Sequence, residues 1–319
     1  MSRIEVETSN SIPERTGMDN DLGTLATALY VTTEDYLKEH PTLIPWRPKI
    51  GLTPRISDAE LITLAVMQAL LNHHNDRRWI RYARTNLRYL FPWIPLQTGY
   101  NKRLRKLSGV MQAVIVHLAA STGLWSDDVW IADSTPIECG HSRETVKCSD
   151  LAGFAEYGYC ASHSCYFWGL RLHLLATFDG LPVGFALTGA KADERTTLES
   201  ILDTTPAPIP AGQTIMADKG YYGRAFENDL AQREITLLRP ARKGEPARED
   251  TQFLKPLRQR IESVFDTLKG QLGLKQHGAR TPGGVIARVL QRILALTAAM
   301  SHNHHTEQPN LRSLTTYDH

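Results

Sequence analysis

The amino-acid sequence predicts an α/β fold, a mixed sheet flanked by helices, that follows an all-helical N-terminal region. Two observations support this prediction. In the first third of the 319-residue chain, apolar residues recur at the spacing of amphipathic helices. Beyond residue 125, apolar and polar residues alternate as in half-buried strands, and helical segments are interleaved with these stretches.

The predicted helical region spans residues 21–124. It follows a polar segment, residues 1–20, that we expect to be a flexible tail. Leu22, Leu25 and Leu29 are spaced by about one helical turn, which predicts the first helix.

Capping and proline signals locate the next helices. Ser57 followed by Glu60 is a capping-box pair ahead of the apolar run 61–71. Two further helices are expected at 76–91 and 98–120, because two prolines interrupt the chain between them.

The predicted sheet lies in the C-terminal region, residues 125–302. Residues 129–133 form a short apolar strand that ends in a carboxylate. Every even position from 166 to 178 is apolar, which predicts a half-buried strand, and Asp179–Gly180 predicts a tight turn into the strand 181–188. The remaining elements follow as a helix at 193–202, a strand at 214–218, a helix at 224–233, a strand at 235–238 and a helix at 254–269.

Composition excludes several classes of protein. With 42% hydrophobic and 22% charged residues, the chain is neither disordered nor a fibrous repeat. The N-terminus has no apolar core of a secretory signal, and the run 61–71 is shorter than the roughly 20 residues that span a bilayer. We therefore expect a cytoplasmic protein without a membrane segment. Residues 303–319 are expected to be a flexible tail, and the cluster His302, His304 and His305 at its start is expected to be frayed and solvated.

Cysteine and histidine residues offer weaker signals. The spacing of Cys139, Cys148, Cys160 and Cys165 differs from the paired two-residue gaps of structural zinc sites, so thiols are expected. His173, on the polar side of its predicted strand, either borders a site or is a hydrogen-bonded structural histidine.

The small net charge of +2 hides segregated charges. Residues 77–106 contain nine Lys or Arg and no acidic residue, and residues 233–292 contain 13 basic and 6 acidic residues. A basic segment with interleaved aromatic rings favours contact with a DNA backbone, although a solvated basic helix is the alternative. The candidate contacts are Arg77, Arg78, Arg81, Arg84, Arg88, Lys102, Arg103 and Arg105, with Lys106 beside them.

Three carboxylates are candidates for a common site. Asp133 and Asp218 each follow an apolar residue and an alanine, which places both at the sheet edge where ligand sites of α/β folds lie. On the last predicted helix, Arg258, Glu262 and Lys269 fall on one stripe beside the apolar face. Taken singly, these residues are also compatible with turn aspartates and a solvated ion pair.

Converging carboxylates repel one another unless cations neutralise them. Hard oxygen ligands of this kind suit Mg²⁺ or Mn²⁺. Two such ions about 4 Å apart promote phosphodiester cleavage or transfer. The carboxylates therefore predict metal-dependent chemistry on a phosphodiester.

The sequence resembles the DDE transposases of bacterial insertion sequences in three catalytic motifs, Asp133–Thr135, Asp218–Tyr221 and Arg258–Lys269. The resemblance covers roughly residues 55–300 and includes the segment Ala192–Glu194. It implies a ribonuclease-H-like catalytic domain, which makes the N-terminal helices the expected DNA-binding domain.

The resemblance also implies roles for individual residues. Asp133, Asp218 and Glu262 correspond to the catalytic ligands of two Mg²⁺ or Mn²⁺ ions. Arg258 and Lys269 correspond to contacts with DNA phosphate near the scissile strand.

One position departs from the family pattern. Lys255 stands where the related signature has tyrosine, so a phosphate contact is possible there but ring stacking is not. The implied partners are double-stranded DNA, namely the terminal inverted repeats of the element and a target, bound by a homodimer that assembles on DNA at the nucleoid.

Two alternatives to a transposase remain open at this stage. A ribonuclease-H-like, metal-dependent nuclease would cleave DNA without strand transfer. A catalytically silent DNA-binding relic would bind DNA without binding the metal.

Overall fold

The computed structural model describes residues 18–47, 53–160, 164–205, 207–246, 248 and 251–317, with the backbone alone at 18–21, 251–253 and 255–257. The N-terminal helices are α1 (Met18–Glu39), α2 (Asp58–Leu70), α3 (Asp76–Asn86), α4 (Gln97–Lys106) and α5 (Ser108–Ala120). The predicted tail at residues 1–20 falls outside the described residues, apart from the first turn of α1.

The predicted capping box of α2 is confirmed. Ser57 Oγ accepts the Glu60 backbone N–H at 3.0 Å, and Glu60 Oε2 accepts the Ser57 N–H at 2.6 Å. Two predicted helix boundaries are wrong. Helix α3 ends at Asn86 rather than near residue 91, because Leu87 turns inward and is buried. The expected helix 98–120 is two helices, broken at Leu107, which is also buried.

The sheet has six strands: β1 (Val129–Gly140), β2 (Glu156–Cys160), β3 (Cys165–Thr177), β4 (Pro182–Gly189), β5 (Thr214–Met216) and β6 (Thr236–Leu238). Its order is β4-β3-β1-β5-β6, and β2 pairs with the first residues of β3. Strand β3 is antiparallel to β1, β2 and β4, whereas β1, β5 and β6 are parallel.

Strand β1 is longer than predicted, and Asp133 therefore lies inside the strand rather than at its end. Pairing with β3 continues from Trp130 opposite Thr177 to Gly140 opposite Trp168. Pairing with β5 stops at Ile131 opposite Met216. The sequence does not predict this extension, because the residues that follow Asp133 include polar ones. These residues stay in the sheet because they pair with the long strand β3.

Five further helices are described: α6 (Arg143–Cys148), α7 (Glu194–Thr204), α8 (Arg224–Gln232), α9 (Thr251–Asp266) and α10 (Pro282–His305). Helix α9 begins before the predicted residue 254 and continues as one π-helical turn, Thr267–Gln271. The expected mixed sheet with flanking helices, behind a helical N-terminal region, is confirmed.

Helix α10 was not predicted, and it joins the two regions of the chain. It packs against α2 and α5 as well as β4, so one buried core extends from Leu22 to Tyr317. Polar contacts lie within this packing: Arg288 of α10 and Gln68 of α2 both bond to Asp76 at the start of α3. Within the described part of the chain, α10 is apolar and long enough to span a membrane, but 83% of its apolar window is buried, as in a core helix.

The expectation of a flexible C-terminal tail at 303–319 is wrong for the residues that the structure describes. Tyr317 is 2% exposed, and its hydroxyl donates to Asn303 Oδ1 at 2.6 Å. Leu314 is also buried, and His305 at the end of α10 hydrogen-bonds to the Ser301 carbonyl. These apolar residues return to the core, and that return orders the segment.

A tight contact in the sheet yields a stability prediction. A methyl group on Gly169 would lie 2.0 Å from the Ile137 carbonyl oxygen, whereas one on Gly109 in α5 meets nothing within 4 Å. Gly169→Ala should therefore destabilise the protein by about 2 kcal/mol or more, because backbone must move. Gly109→Ala should be neutral or stabilising by up to about 1 kcal/mol. Urea denaturation of both variants measures the difference, and equal effects would contradict the described β1–β3 pairing.

Candidate active site and nucleic-acid interface

Parallel pairing places Asp133 beside Asp218. Each aspartate lies two residues beyond the last β1–β5 pair, Ile131 with Met216. Asp133 Oδ1 accepts the Ser134 N–H at 2.7 Å, and Asp218 Oδ1 accepts the Gly220 N–H at 2.6 Å. The pKa of Asp133 is raised to about 7, first by burial and then by the negative charge of Asp218 and Glu194.

Glu194, at the start of α7, is a third carboxylate at this position, and it was not among the predicted site residues. Its Oε1 accepts the Ser134 hydroxyl at 2.6 Å and an Arg171 N–H at 3.2 Å. A methyl group on Gly220 would lie 2.8 Å from Asp218 Oδ1 and 3.3 Å from Glu194 Oε2, so these two oxygens are near neighbours. A carboxylate in the first turn of a helix is common, which is why the residue types alone did not single it out.

Arg171 and Tyr221 surround these carboxylates. Besides Glu194, Arg171 donates to Ser134 Oγ at 2.9 Å and to the Tyr159 carbonyl at 3.1 Å. Tyr221 is 2% exposed. Burial and then the charge of Glu194, Asp133 and Asp218 raise its pKa well above the usual value, so its hydroxyl stays protonated.

Helix α9 brings the predicted Arg258 close enough to Asp133 for its charge to act on that carboxyl, and it pairs Arg258 with the predicted Glu262. Arg258 Nε donates to Glu262 Oε1 at 3.1 Å, and both side chains are more than half exposed. The charge of Arg258 acts on Asp133 and opposes the rise of its pKa. Lys269, in the π-helical turn, is half-buried; burial lowers its pKa, and Asp133 acts on it in the opposite direction. The side chain of Lys255 lies outside the described residues.

The donor set fits divalent cations. Asp133, Asp218 and Glu194 supply carboxylate oxygens, and few positive charges balance their negative charge. Glu262 is linked to this group through Arg258, which pairs with Glu262 and whose charge acts on Asp133. Hard oxygen ligands of this kind are those that Mg²⁺ and Mn²⁺ prefer. Among the described residues, no group of three or more His, Cys, Asp or Glu is already drawn together around one point.

His173 is a structural histidine, as one of the two interpretations expected. It is buried, its Nε2 lies 3.0 Å from Thr188 Oγ1, and burial lowers its pKa to about 4. The four cysteines are thiols, also as expected.

The basic segment of the N-terminal region forms an exposed surface on α3, on α4 and, at Arg88, on the turn that follows α3. The exposed members are Arg77, Arg78, Arg81, Arg88, Lys102, Arg105 and Lys106. Trp79 and Tyr100, by contrast, are fully buried, so these rings face the core.

Two predicted contacts are instead engaged within the protein. Arg103 donates to the Ile56 carbonyl at 2.8 Å and to buried Asp58 at 2.7 Å. Arg84 donates to the Ile94 carbonyl at 2.9 Å. The partners of Arg103 lie outside the acid-free segment 77–106, and the count of charges within that segment could not reveal them.

Comparison with known proteins gives one family match. The family model described as the transposase DDE domain matches residues 124–298, an interval that contains Asp133, Asp218 and Glu262. A cryo-EM structure of a piggyBac transposase synaptic complex with hairpin DNA is similar, with 9% sequence identity, coverage of 94% of this chain and 78% of that chain, and a TM-score of 0.47. No curated protein matches the sequence significantly.

The raised pKa of Asp133 predicts a gain in stability when its charge is removed. The folded protein has a pKa of about 7 there against 3.8 for an ordinary Asp, so it holds a proton that the unfolded chain has released between these values. Stability therefore falls as pH rises from about 4 to about 7 and stays low above that. Asp133→Asn should be more stable than the parent at pH 8, by about 1–3 kcal/mol, and by less at pH 5.

Chemical denaturation at the two pH values in metal-free buffer measures this gain. Glu262→Gln, which removes an exposed carboxylate, is the matched control and should gain much less stability at pH 8 than Asp133→Asn, because no buried charge is removed. An equal gain for Asp133→Asn at pH 5 and pH 8 would contradict the raised pKa.

Proposed function

The chain belongs to the transposase DDE domain family, and from this premise we propose that it cleaves and rejoins DNA at the ends of an insertion sequence with two divalent metal ions. The observation that carries the proposal is the position of Asp133 beside Asp218, just beyond the last β1–β5 pair, where their negative charges repel one another. Bound cations would reduce this repulsion.

In this proposal Asp133, Asp218 and Glu262 hold two Mg²⁺ or Mn²⁺ ions. When bound, such ions activate the attacking oxygen and stabilise the leaving oxygen of a phosphodiester. Glu262 reaches the aspartates by releasing Arg258, and the freed guanidinium then binds a DNA phosphate, as does Lys269. Water attacks in the first step, and the freed 3′-hydroxyl attacks target DNA in the second.

Glu194 and Arg171 keep this edge of the sheet in place. The Ser134 hydroxyl donates to Glu194 and accepts from Arg171, so two side chains hold the residue whose backbone N–H donates to Asp133 Oδ1. The protein thus positions Asp133 through the backbone and side chain of Ser134.

The exposed cations of α3 and α4 support DNA as the substrate. We propose that this surface binds the terminal inverted repeats of the element, and that two copies of the chain assemble on DNA at the nucleoid in the cytoplasm. Each cation that neutralises a phosphate releases a counterion, so binding by this surface depends steeply on salt.

Removal of single carboxylates tests the catalytic assignment. Asp133→Ala, Asp218→Ala and Glu262→Ala should each lower Mg²⁺-dependent cleavage by about 1,000-fold or more, because metal stabilisation of several kcal/mol is lost. The substrate is a supercoiled plasmid that carries the two DNA segments adjoining the coding sequence. Asp35→Asn, an exposed carboxylate on α1, is the control.

The products of that assay separate the alternatives. A transposase joins the released ends to a second plasmid, whereas a nuclease yields cleaved ends that are never joined. Full activity of the three alanine variants would refute the site, and a folded parent protein that neither cleaves nor binds Mn²⁺ would indicate a silent relic.

Charge removal on α3 tests the DNA-binding surface. Arg77→Ala combined with Arg81→Ala should lower the slope of log affinity against log salt by about 2, because about 0.9 counterions are released for each phosphate contact. Fluorescence anisotropy on a duplex of about 30 bp measures the slope. Arg103→Ala should instead lower stability by about 1–3 kcal/mol with a smaller change of slope, because it leaves buried Asp58 with one partner fewer. An unchanged slope in the double variant would contradict DNA binding by α3.

A further inference from the structure

A second basic surface lies beyond β6, at the edge of the sheet opposite β4, the strand against which α5 packs. Helix α5 packs against β4 at one edge, and β6 is the strand at the other edge. The loop 239–246 leaves β6 next to Asp218, since the Ala217 N–H donates to the Leu238 carbonyl at 3.0 Å. Across the sheet, the two aspartates therefore lie between β4, against which α5 packs, and this loop.

Ion pairs hold the loop in one arrangement. Arg239 is 2% exposed and donates to Glu227 Oε1 at 2.7 Å and to Glu245 Oε2 at 2.8 Å. Glu245 Oε2 also accepts the Arg242 backbone N–H at 3.0 Å, which closes the loop on itself. Arg248 donates to the other oxygen of Glu227 at 2.9 Å.

An aromatic contact fixes the exposed end of this loop. The Arg242 guanidinium carbon lies 3.5 Å from the centroid of the Tyr222 ring, and that of Arg195 lies 5.3 Å away. Arg195 also donates to the Tyr222 carbonyl at 2.9 Å and pairs with Asp193 at 2.6 Å. Arg242 is thus held by a ring, a contact that leaves its charge uncompensated.

The charges of this surface do not cancel. Its acids, Asp193, Glu227 and Glu245, are each ion-paired with an arginine of the same surface. The exposed cations have no carboxylate partner among the described residues; they are Lys219, Arg224, Arg242 and Lys243, which we term the β6-edge rim. A fixed, uncompensated basic rim matches a polyanionic backbone.

We propose that the β6-edge rim binds the DNA duplex that lies beyond the scissile phosphate, on the side away from the N-terminal helices. The inference rests on the proposed function. The rim begins one strand from Asp218, about 5 Å across the sheet, so a duplex that passes the aspartates reaches it within a few base pairs. The N-terminal helices then hold the element end, and the rim holds its flank.

The first test measures binding of the full chain to a duplex of arbitrary sequence, about 30 bp long, at several salt concentrations. The Arg242→Ala/Lys243→Ala variant should lower the salt slope by about 2 and weaken binding about tenfold. Lys38→Gln/Arg233→Gln removes the same charge elsewhere, from α1 and from the far end of α8, and should leave the slope unchanged. An unchanged slope in the Arg242/Lys243 variant would overturn the proposal.

The second test places the contact. Two duplexes carry the element end, one stopping at the mapped cleavage position and one with a flank of about 10 bp, one helical turn. The parent protein should bind the flanked duplex more tightly, and the Arg242→Ala/Lys243→Ala variant should lose this gain alone. Equal weakening on both duplexes would overturn the placement on the flank.

Two variants of Tyr222 test whether its ring holds the Arg242 guanidinium in place. Tyr222→Ala should lose part of the same gain, because the ring that holds Arg242 is gone, whereas Tyr222→Phe should retain it. Equal binding by the two Tyr222 variants would contradict a role for the ring. The first test needs no cleavage, so it separates the two proposals. If the parent protein cuts no DNA but the Arg242→Ala/Lys243→Ala variant still has the smaller salt slope, the proposed function is refuted while DNA binding by the rim is supported.

Discussion

Repulsion between Asp133 and Asp218 is the constraint on which the rest of the site depends. The parallel register of β1 and β5 puts both aspartates at one level of the sheet, and burial of the Asp133 carboxyl removes much of the water that would screen its charge. Ordinary packing would not retain such an arrangement, because it lowers stability at neutral pH. The surrounding contacts therefore hold the backbone of this site in place. Ser134 is hydrogen-bonded to Glu194 and Arg171, and Tyr221, on which the charges of Glu194 and Asp133 act, is buried.

Several acidic side chains elsewhere in the protein are paired with arginine, unlike Asp133. Buried Asp58 has two arginine partners, Asp76 has Arg288, and Glu227 has Arg239 and Arg248. At the aspartate pair the neighbouring charges are mostly negative. Among the described residues, Asp133 has no ion-pair partner of this kind; its carboxyl instead accepts a hydrogen bond from the Ser134 backbone N–H.

Much of the fold and part of the site could be predicted from the sequence. The capping box of α2, the alternation along β3 and the pairing of Arg258 with Glu262 are local patterns, and they are present in the structure. The two aspartates were recognised from matching apolar-Ala-Asp runs. Local patterns could not show that β1 continues past Asp133, because its polar residues are held in the sheet by β3.

The missed features depend on partners that are distant in the chain. Glu194 lies at the site because it accepts the hydroxyl of Ser134, 60 residues away in the chain. Arg103, a predicted DNA contact, is instead paired with Asp58, 45 residues away. Helix α10 carries buried Arg288, Gln291 and Arg292 on what would otherwise be an apolar helix. These polar residues interrupt the apolar face by which the sequence would predict a buried helix, and their burial is explained only by the polar groups that they contact.

The bond of Arg288 and Gln68 to Asp76 ties the first turn of α3 to helices from both ends of the chain. The basic helices therefore cannot be transplanted as a module: a fragment that ends before α10 exposes apolar core and leaves Asp76 without its arginine. The N-terminal helices and the sheet therefore form one folding unit. Under the proposed function, a new DNA specificity would come from replacement of surface residues on α3 and α4, and not from exchange of the whole helical region.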